Sequence, residues 1–206
     1  MIQIWGRGNS GNVIKVLWCL QELALLFDHE EVGGKFGKNR EAWFLELNPN
    51  GLVPVIRDED DYVVWESNAI VRYLAAKYGA GQLWPDDVRD RADADRWMDW
   101  PSQVQPHMTT LNVSLVRTPP ESRDPEKIGK ARQEAADIWS VLDKHLVRRD
   151  FVAGQQFTMG DIAIGNLAYR WFNLGIDRPN MPGLEAWYQR LAARPAFQAQ
   201  VMKALA

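Results

Sequence analysis

Upstream of Trp84-Pro85 the apolar residues of this chain switch between short continuous runs and helical spacing; downstream they keep to helical spacing alone. Short apolar runs bounded by turn residues read as strands, and positions recurring at three and four read as one helix face. Ile2 to Trp5 is a first strand, followed by the turn segment Gly6 to Asn12. Val13, Val16, Leu17, Leu20, Leu23 and Ala24 then share one face of an amphipathic helix. Phe27 to Val32 reads as a second strand, and Gly33, Gly34 and Gly37 as a loop. Glu41 to Leu47 reads as a helix that stops at Asn48-Pro49-Asn50-Gly51. Leu52 to Arg57 and Tyr62 to Trp65 read as strands around the acidic turn Asp58 to Asp61. Ser67 to Tyr78 closes the set as a helix burying Ile70, Val71 and Leu74. The predicted order is β-α-β-α-β-β-α over residues 1–79, an α+β unit, with a linker at 80–86. Residues 87–206 are predicted to be all-helical. Their helices run from Asp86 to about Val116, bent or split at Pro101 and Pro106, and over Glu126–Leu146, Asp161–Leu174 and Gly183–Ala193, with a short one from Pro195.

Composition removes several function classes. Hydrophobic residues make up 46% of 206, enough for packed cores. A net charge of -3 gives no field that would concentrate nucleic acid. One cysteine excludes an internal disulfide, and His29, His107 and His145 lack metal-ligand spacing, so no metal is expected. No apolar run approaches the roughly 20 residues that cross a bilayer, so no membrane partner is expected. The start of the chain lacks a secretion-signal layout, which points to a cytoplasmic protein.

Two short segments carry chemistry. Pro54 interrupts an apolar run, where it removes a ladder donor and marks an edge or bulge. If the Val53-Pro54 bond is cis, the turn exposes the Val53 N–H and C=O to an extended peptide adding as a strand. Eleven residues on, Trp65-Glu66-Ser67-Asn68-Ala69-Ile70 turns strand into helix. Ser67 reads as the N-cap, and a helix start also holds carboxylates. Glu66 beside it can hold an ammonium group. A carboxylate seat next to an ammonium seat suits the head of an α-amino acid.

Together, Asn48-Pro49-Asn50-Gly51-Leu52-Val53-Pro54-Val55 and the 65–70 segment resemble the N-terminal domain of the glutathione transferases. The capping box Thr158-Met159-Gly160-Asp161 and Arg194-Pro195-Ala196-Phe197 are similar to that family's helical domain. The chain is thus identified as a serine-type member, theta- or beta-like in the bacterial style. The resemblance implies a thioredoxin-like N-terminal domain and an all-α C-terminal domain. It implies glutathione as co-substrate, a small electrophile as second substrate, and a homodimer. It implies a cis Val53-Pro54 bond, Val53 on the cysteinyl part of glutathione and Glu66 and Ser67 on the γ-glutamyl part. Thr158 and Asp161 are structural.

In this family a small polar group at the start of the first helix serves the thiol. Aligning Lys15-Val16 with the family's basic-apolar pair puts Ser10 there, with Asn12 as the alternative. Both also suit helix capping. A serine hydroxyl is too weak a base to take the proton; it donates a hydrogen bond to the sulfur anion instead. Cys19 lies well inside the helix, where free cysteine is commonly buried and inert. The glycine carboxylate needs a cation, taken as Lys38, with Lys35 and Arg40 as alternatives. Trp97, Trp100, Gln103, His107 and Met108 form a stripe that suits core or dimer contact, with one or two free to line the electrophile pocket. Phe36 and Tyr169 are further candidates for it. Two other functions stay open: glutathione-dependent disulfide or peroxide reduction, and non-catalytic glutathione binding.

Overall fold

The computed structural model describes residues 1–205. Four strands, β1 (Ile2–Trp5), β2 (Phe27–Glu30), β3 (Val55–Arg57) and β4 (Val63–Trp65), form one sheet in the order β2-β1-β3-β4. β1 runs parallel to β2 and antiparallel to β3, which is antiparallel to β4. Helices α1 (Gly11–Glu22) and α3 (Ser67–Tyr78) pack together against the sheet. A second cluster, Trp5, Val32, Phe44 and Val55, seats α2 (Ala42–Leu47). The sequence places all of these elements and bounds β1 as observed, but runs the other three strands long. Pro54 keeps 52–54 out of β3, since it has no N–H for the ladder.

The C-terminal domain holds α4 (Val88–Asp99), α5 (Pro101–Asn112), α6 (Pro125–Leu146), α7 (Met159–Asn173), α8 (Pro182–Ala192) and α9 (Pro195–Gln200). Pro101 splits the long predicted helix at Trp100, and a π turn, Val113–Arg117, follows α5. The capping box forms: Asp161 Oδ2 accepts the Thr158 N–H at 2.9 Å, while Oδ1 takes Val152 N–H and Trp187 Nε1–H.

Two predicted features differ. Every residue of α1 from Val13 to Leu20 is buried, not one face. The sheet and α3 cover one side; α7 and α9 cover the other. Trp18 packs at a tilt on Phe157 and edge-on to Phe197, and a Cβ on Gly165 of α7 would lie 2.7 Å from its ring. Ser67 is not the cap of α3 but its first residue; Glu66 is the cap.

Candidate active site

The start of α1 is held from three directions. Gly6 ends β1 with φ 155, and a Cβ there would meet Val13 at 2.5 Å, so glycine permits the close turn into the helix. His29 Nε2 lies 2.7 Å from Gly6 O, and Glu31 Oε2 accepts the Gly8 N–H at 2.9 Å. From the helical domain, Asn166 donates to Gly11 O at 2.9 Å. This fixed loop presents Ser10 as the N-cap residue, its carbonyl accepting the Ile14 N–H at 2.8 Å.

Ser10's side chain makes no cap bond. The exposed Asn12 amide likewise has no hydrogen-bond partner among the described residues. Capping therefore uses neither group, and both line a cleft of about 220 Å³ between the two domains. Cys19 is fully buried, and burial pushes its thiol far above the usual range, so it supplies no thiolate.

The Val53-Pro54 peptide is cis. Val53 lies outside β3, and neither its N–H nor its C=O is hydrogen-bonded among the described residues. Its side chain lies against Gly6 and Gly33, beside the loop that carries Ser10. Glu66 caps α3 at φ 70, in the left-handed region that a non-glycine residue enters at a cost. The conformation leaves its carboxylate exposed next to the free N–H groups of the first turn.

Behind this turn lies Lys15, which is buried. Its Nζ donates to Ser67 Oγ at 3.1 Å and to Asn68 Oδ1 at 2.6 Å. Asn68 in turn donates to Met98 O of α4 at 2.6 Å. Burial lowers the Lys15 pKa to about 8, against the pull of Glu66 and with the push of Arg72. Lys15 also lines the cleft, so one side chain joins Ser67 to the Ser10 pocket.

The structure does not bring Lys38 to this cleft. It pairs with Glu30 at 2.7 Å and borders a separate hollow with Trp5 and Trp43. Arg40 lies against Gly51 and Asn50 O, two residues from Val53. The predicted stripe on α4 and α5 does not line the cleft. Met108 is core, Trp97 and Trp100 pack on each other, and His107 meets Glu134 at 3.0 Å. Gln105 and Thr109 line it instead, with Arg7, Arg117, Asn166 and Arg170. Tyr169 borders a neighbouring hollow of about 110 Å³, and Phe36 is exposed beneath Lys35. Sequence reasoning missed Lys15 as a site residue, although a lone charge inside Val13-Ile14-Lys15-Val16-Leu17-Trp18 is a signal. A larger groove, about 520 Å³ between α6 and residues 177–181, contains none of these groups. Among the described residues no cluster is placed to hold a metal ion, and no helix is long and apolar enough to cross a membrane.

Known proteins resemble this chain over nearly its whole length. Family models described as "Glutathione S-transferase, N-terminal domain" and "Glutathione S-transferase, C-terminal domain" match residues 9–77 and 104–195. The chain is 47% identical to glutathione S-transferase GstB of Escherichia coli strain K12, over 98% of each protein. It is 28% identical to the disulfide-bond oxidoreductase YghU of the same strain, over 96% of this chain and 73% of that one. A theta class glutathione S-transferase from Xanthomonas axonopodis pv. citri, solved with glutathione bound, superposes with a TM-score of 0.94 at 45% identity, covering 100% of this chain and 99% of that one.

Proposed function

The chain belongs to the glutathione S-transferase family, and from that premise we propose how its residues hold glutathione and ready the thiol. It is a glutathione transferase with glutathione as co-substrate. The observation that supports the residue assignments is the convergence on one cleft of two unused polar groups, Ser10 and Asn12, with Lys15, which also holds Ser67.

In this reading the first domain, residues 1–79, binds glutathione, and the second, 87–206, closes the cleft across the linker at 80–86. The γ-glutamyl carboxylate takes the N–H groups and hydroxyl at the start of α3, where the helix dipole favours an anion. Glu66 takes the ammonium group. The cysteinyl unit pairs with Val53 N–H and C=O as an added strand, the cis Pro54 turn holding both outward. For the glycine carboxylate, Lys38 has to leave Glu30, and an exposed ion pair of that kind adds little stability, so the exchange is easy. Arg40 is the second cation within reach of that end.

The thiol then meets Ser10. A free thiol titrates near ~8.5, and a helix N-terminus lowers that. The Ser10 hydroxyl donates to the sulfur anion, with the Asn12 amide as a second donor, which favours ionisation at neutral pH. The thiolate attacks the electrophilic carbon: a C–S bond forms, the leaving group departs with its electron pair, and the thiol proton goes to solvent.

The test is calorimetric titration of glutathione into wild type, Ser67→Ala and Glu66→Ala, with conjugation rates for Ser10→Ala and Asn12→Ala. Each seat variant is expected to weaken binding about tenfold or more. Loss of the thiolate donor is expected to lower kcat about 100-fold. Unchanged activity in both Ser10→Ala and Asn12→Ala sinks the thiolate assignment.

A second reading, glutathione-dependent disulfide reduction, is favoured by the exposed Asn12 amide and the likeness to YghU. With Cys19 buried, two glutathione molecules supply the electrons and leave as oxidised glutathione while the substrate disulfide becomes two thiols. Oxidised glutathione without a thioether product selects it. The enzyme is also assigned as a cytoplasmic homodimer. The exposed apolar side chains Leu52, Tyr62 and Trp65 support self-association, and light scattering at micromolar protein tests it.

A further inference from the structure

The part of the cleft beyond Ser10 has an unusual lining for a pocket that takes an organic electrophile. Small-molecule pockets are mostly apolar and aromatic with a few polar groups. Among the described residues no aromatic side chain and no carboxylate lines the cleft; Ala163 and Leu167 are its apolar side chains. Four cations do line it: Arg7 from the β1–α1 loop, Lys15, Arg117 from the π turn and Arg170 from α7.

Lys15 is directed to Ser67 and Asn68, at the glutathione head. Arg7 and Arg170 differ. Neither guanidinium has a hydrogen bond or a carboxylate partner among the described residues. Arg170 lies at the α1 start, where a Cβ on Gly11 would be 3.5 Å from its Nη2. Its charge therefore sits one residue from Ser10. Arg7 lies on the other side, its stem against the Gly33-Gly34 turn. Burial and the like charge of Arg117 both disfavour the charged Arg170 guanidinium and lower its pKa. A half-buried cation without a counter-charge is costly, and an anion entering the cleft relieves that cost. Glutathione's own carboxylates are assigned elsewhere, to the start of α3 and to the Lys38–Arg40 side. The anion must then belong to the second substrate.

We propose that the electrophile of this transferase is a small molecule carrying an anionic group, a carboxylate or phosphonate, which Arg170 and Arg7 bind while its reactive carbon faces the thiolate at Ser10. The proposal rests on the glutathione placement above. The free volume, about 220 Å³, suits a molecule of one ring or smaller. Arg suits the task because its planar fork meets a carboxylate through two parallel hydrogen bonds.

The test compares 4-(chloromethyl)benzoate with 4-(chloromethyl)benzamide, which share the reacting carbon and chloride and differ in charge at the far end. Each enzymatic kcat/KM is divided by its uncatalysed rate with glutathione. The affinities of the two thioether products are measured by calorimetry in parallel. The carboxylate is expected to win by about 10- to 100-fold in both readouts. Arg170→Gln should bring the ratio close to one, and Arg170→Lys should restore part of it, with thermal melts confirming that both variants fold. Equal or amide-favoured ratios in wild type overturn the proposal. So does an Arg170→Gln variant that shifts the pH profile of the thiol but keeps the carboxylate preference. Selective product binding with no turnover of either chloride upholds the anion site and places the failure in the transferase chemistry.

Discussion

Lys15 shows how a single side chain can serve two sites. Its amine touches Ser67 and Asn68 on α3 while it lines the cleft entered from α1. Its pKa is lowered to about 8, so the cation proposed to back the γ-glutamyl carboxylate disappears as pH rises through that value. The affinity for S-methylglutathione, which has no thiol to titrate, should fall about tenfold between pH 7 and 9. Lys15→Met should bind more weakly at pH 7 and lose that slope, apart from the ligand's own amine. Equal slopes in the two proteins would remove Lys15 from the ligand field. The candidates that the sequence suggests and the fold keeps near the cleft, Ser10, Asn12, Val53, Pro54, Glu66 and Ser67, sit in contiguous motifs. Arg7, Lys15, Arg117 and Arg170 come from four separate segments, and each arginine alone reads as ordinary solvated charge. Only folding shows that they face one space.

At the scale of elements, turn chemistry was readable and burial was not. Pro101 and Pro182 mark helix starts as their fixed φ requires, and the Thr158–Asp161 box opens α7. Periodicity gave α1 one buried face because the pattern records a single layer, whereas α7 and α9 cover its other side. The box does more than cap. Asp161 is fully buried and accepts from Val152 N–H, Thr158 N–H and Trp187 Nε1–H. Burial pushes its pKa up to about 6 against the pull of these donors. Asp161→Ala strands three buried donors, and urea unfolding should show a loss of about 4 kcal/mol. A loss below about 1 kcal/mol would mean that water replaces the carboxylate.

For the molecule as a whole, the two domains share one core. Trp18 sits among Phe157, Phe197 and Gly165, and Glu22 accepts from Arg194 Nε at 2.8 Å and Nη2 at 2.7 Å along with Trp18 Nε1–H. Gly165→Ala drives a methyl into the Trp18 ring and should cost about 2 kcal/mol. Fluorescence and circular dichroism should still report one coincident transition; two separated transitions would show that the domains hold independently. The two-part architecture was legible from the change in hydrophobic period. The joint was not, because its contacts span more than a hundred residues of sequence.

That joint bears on how the protein is made. A ribosome adds about 5–20 residues each second, and domains generally fold in the order they emerge. The first helix emerges early, but the partners of its outer face follow much later: Phe157, Arg194, Phe197, and Gln200, which donates to Gln21. Until they arrive, Trp18 lies on an open apolar surface of the nascent chain. The N-terminal domain is therefore synthesised first and completed last, and a chaperone that shields α1 during that interval would protect the whole enzyme.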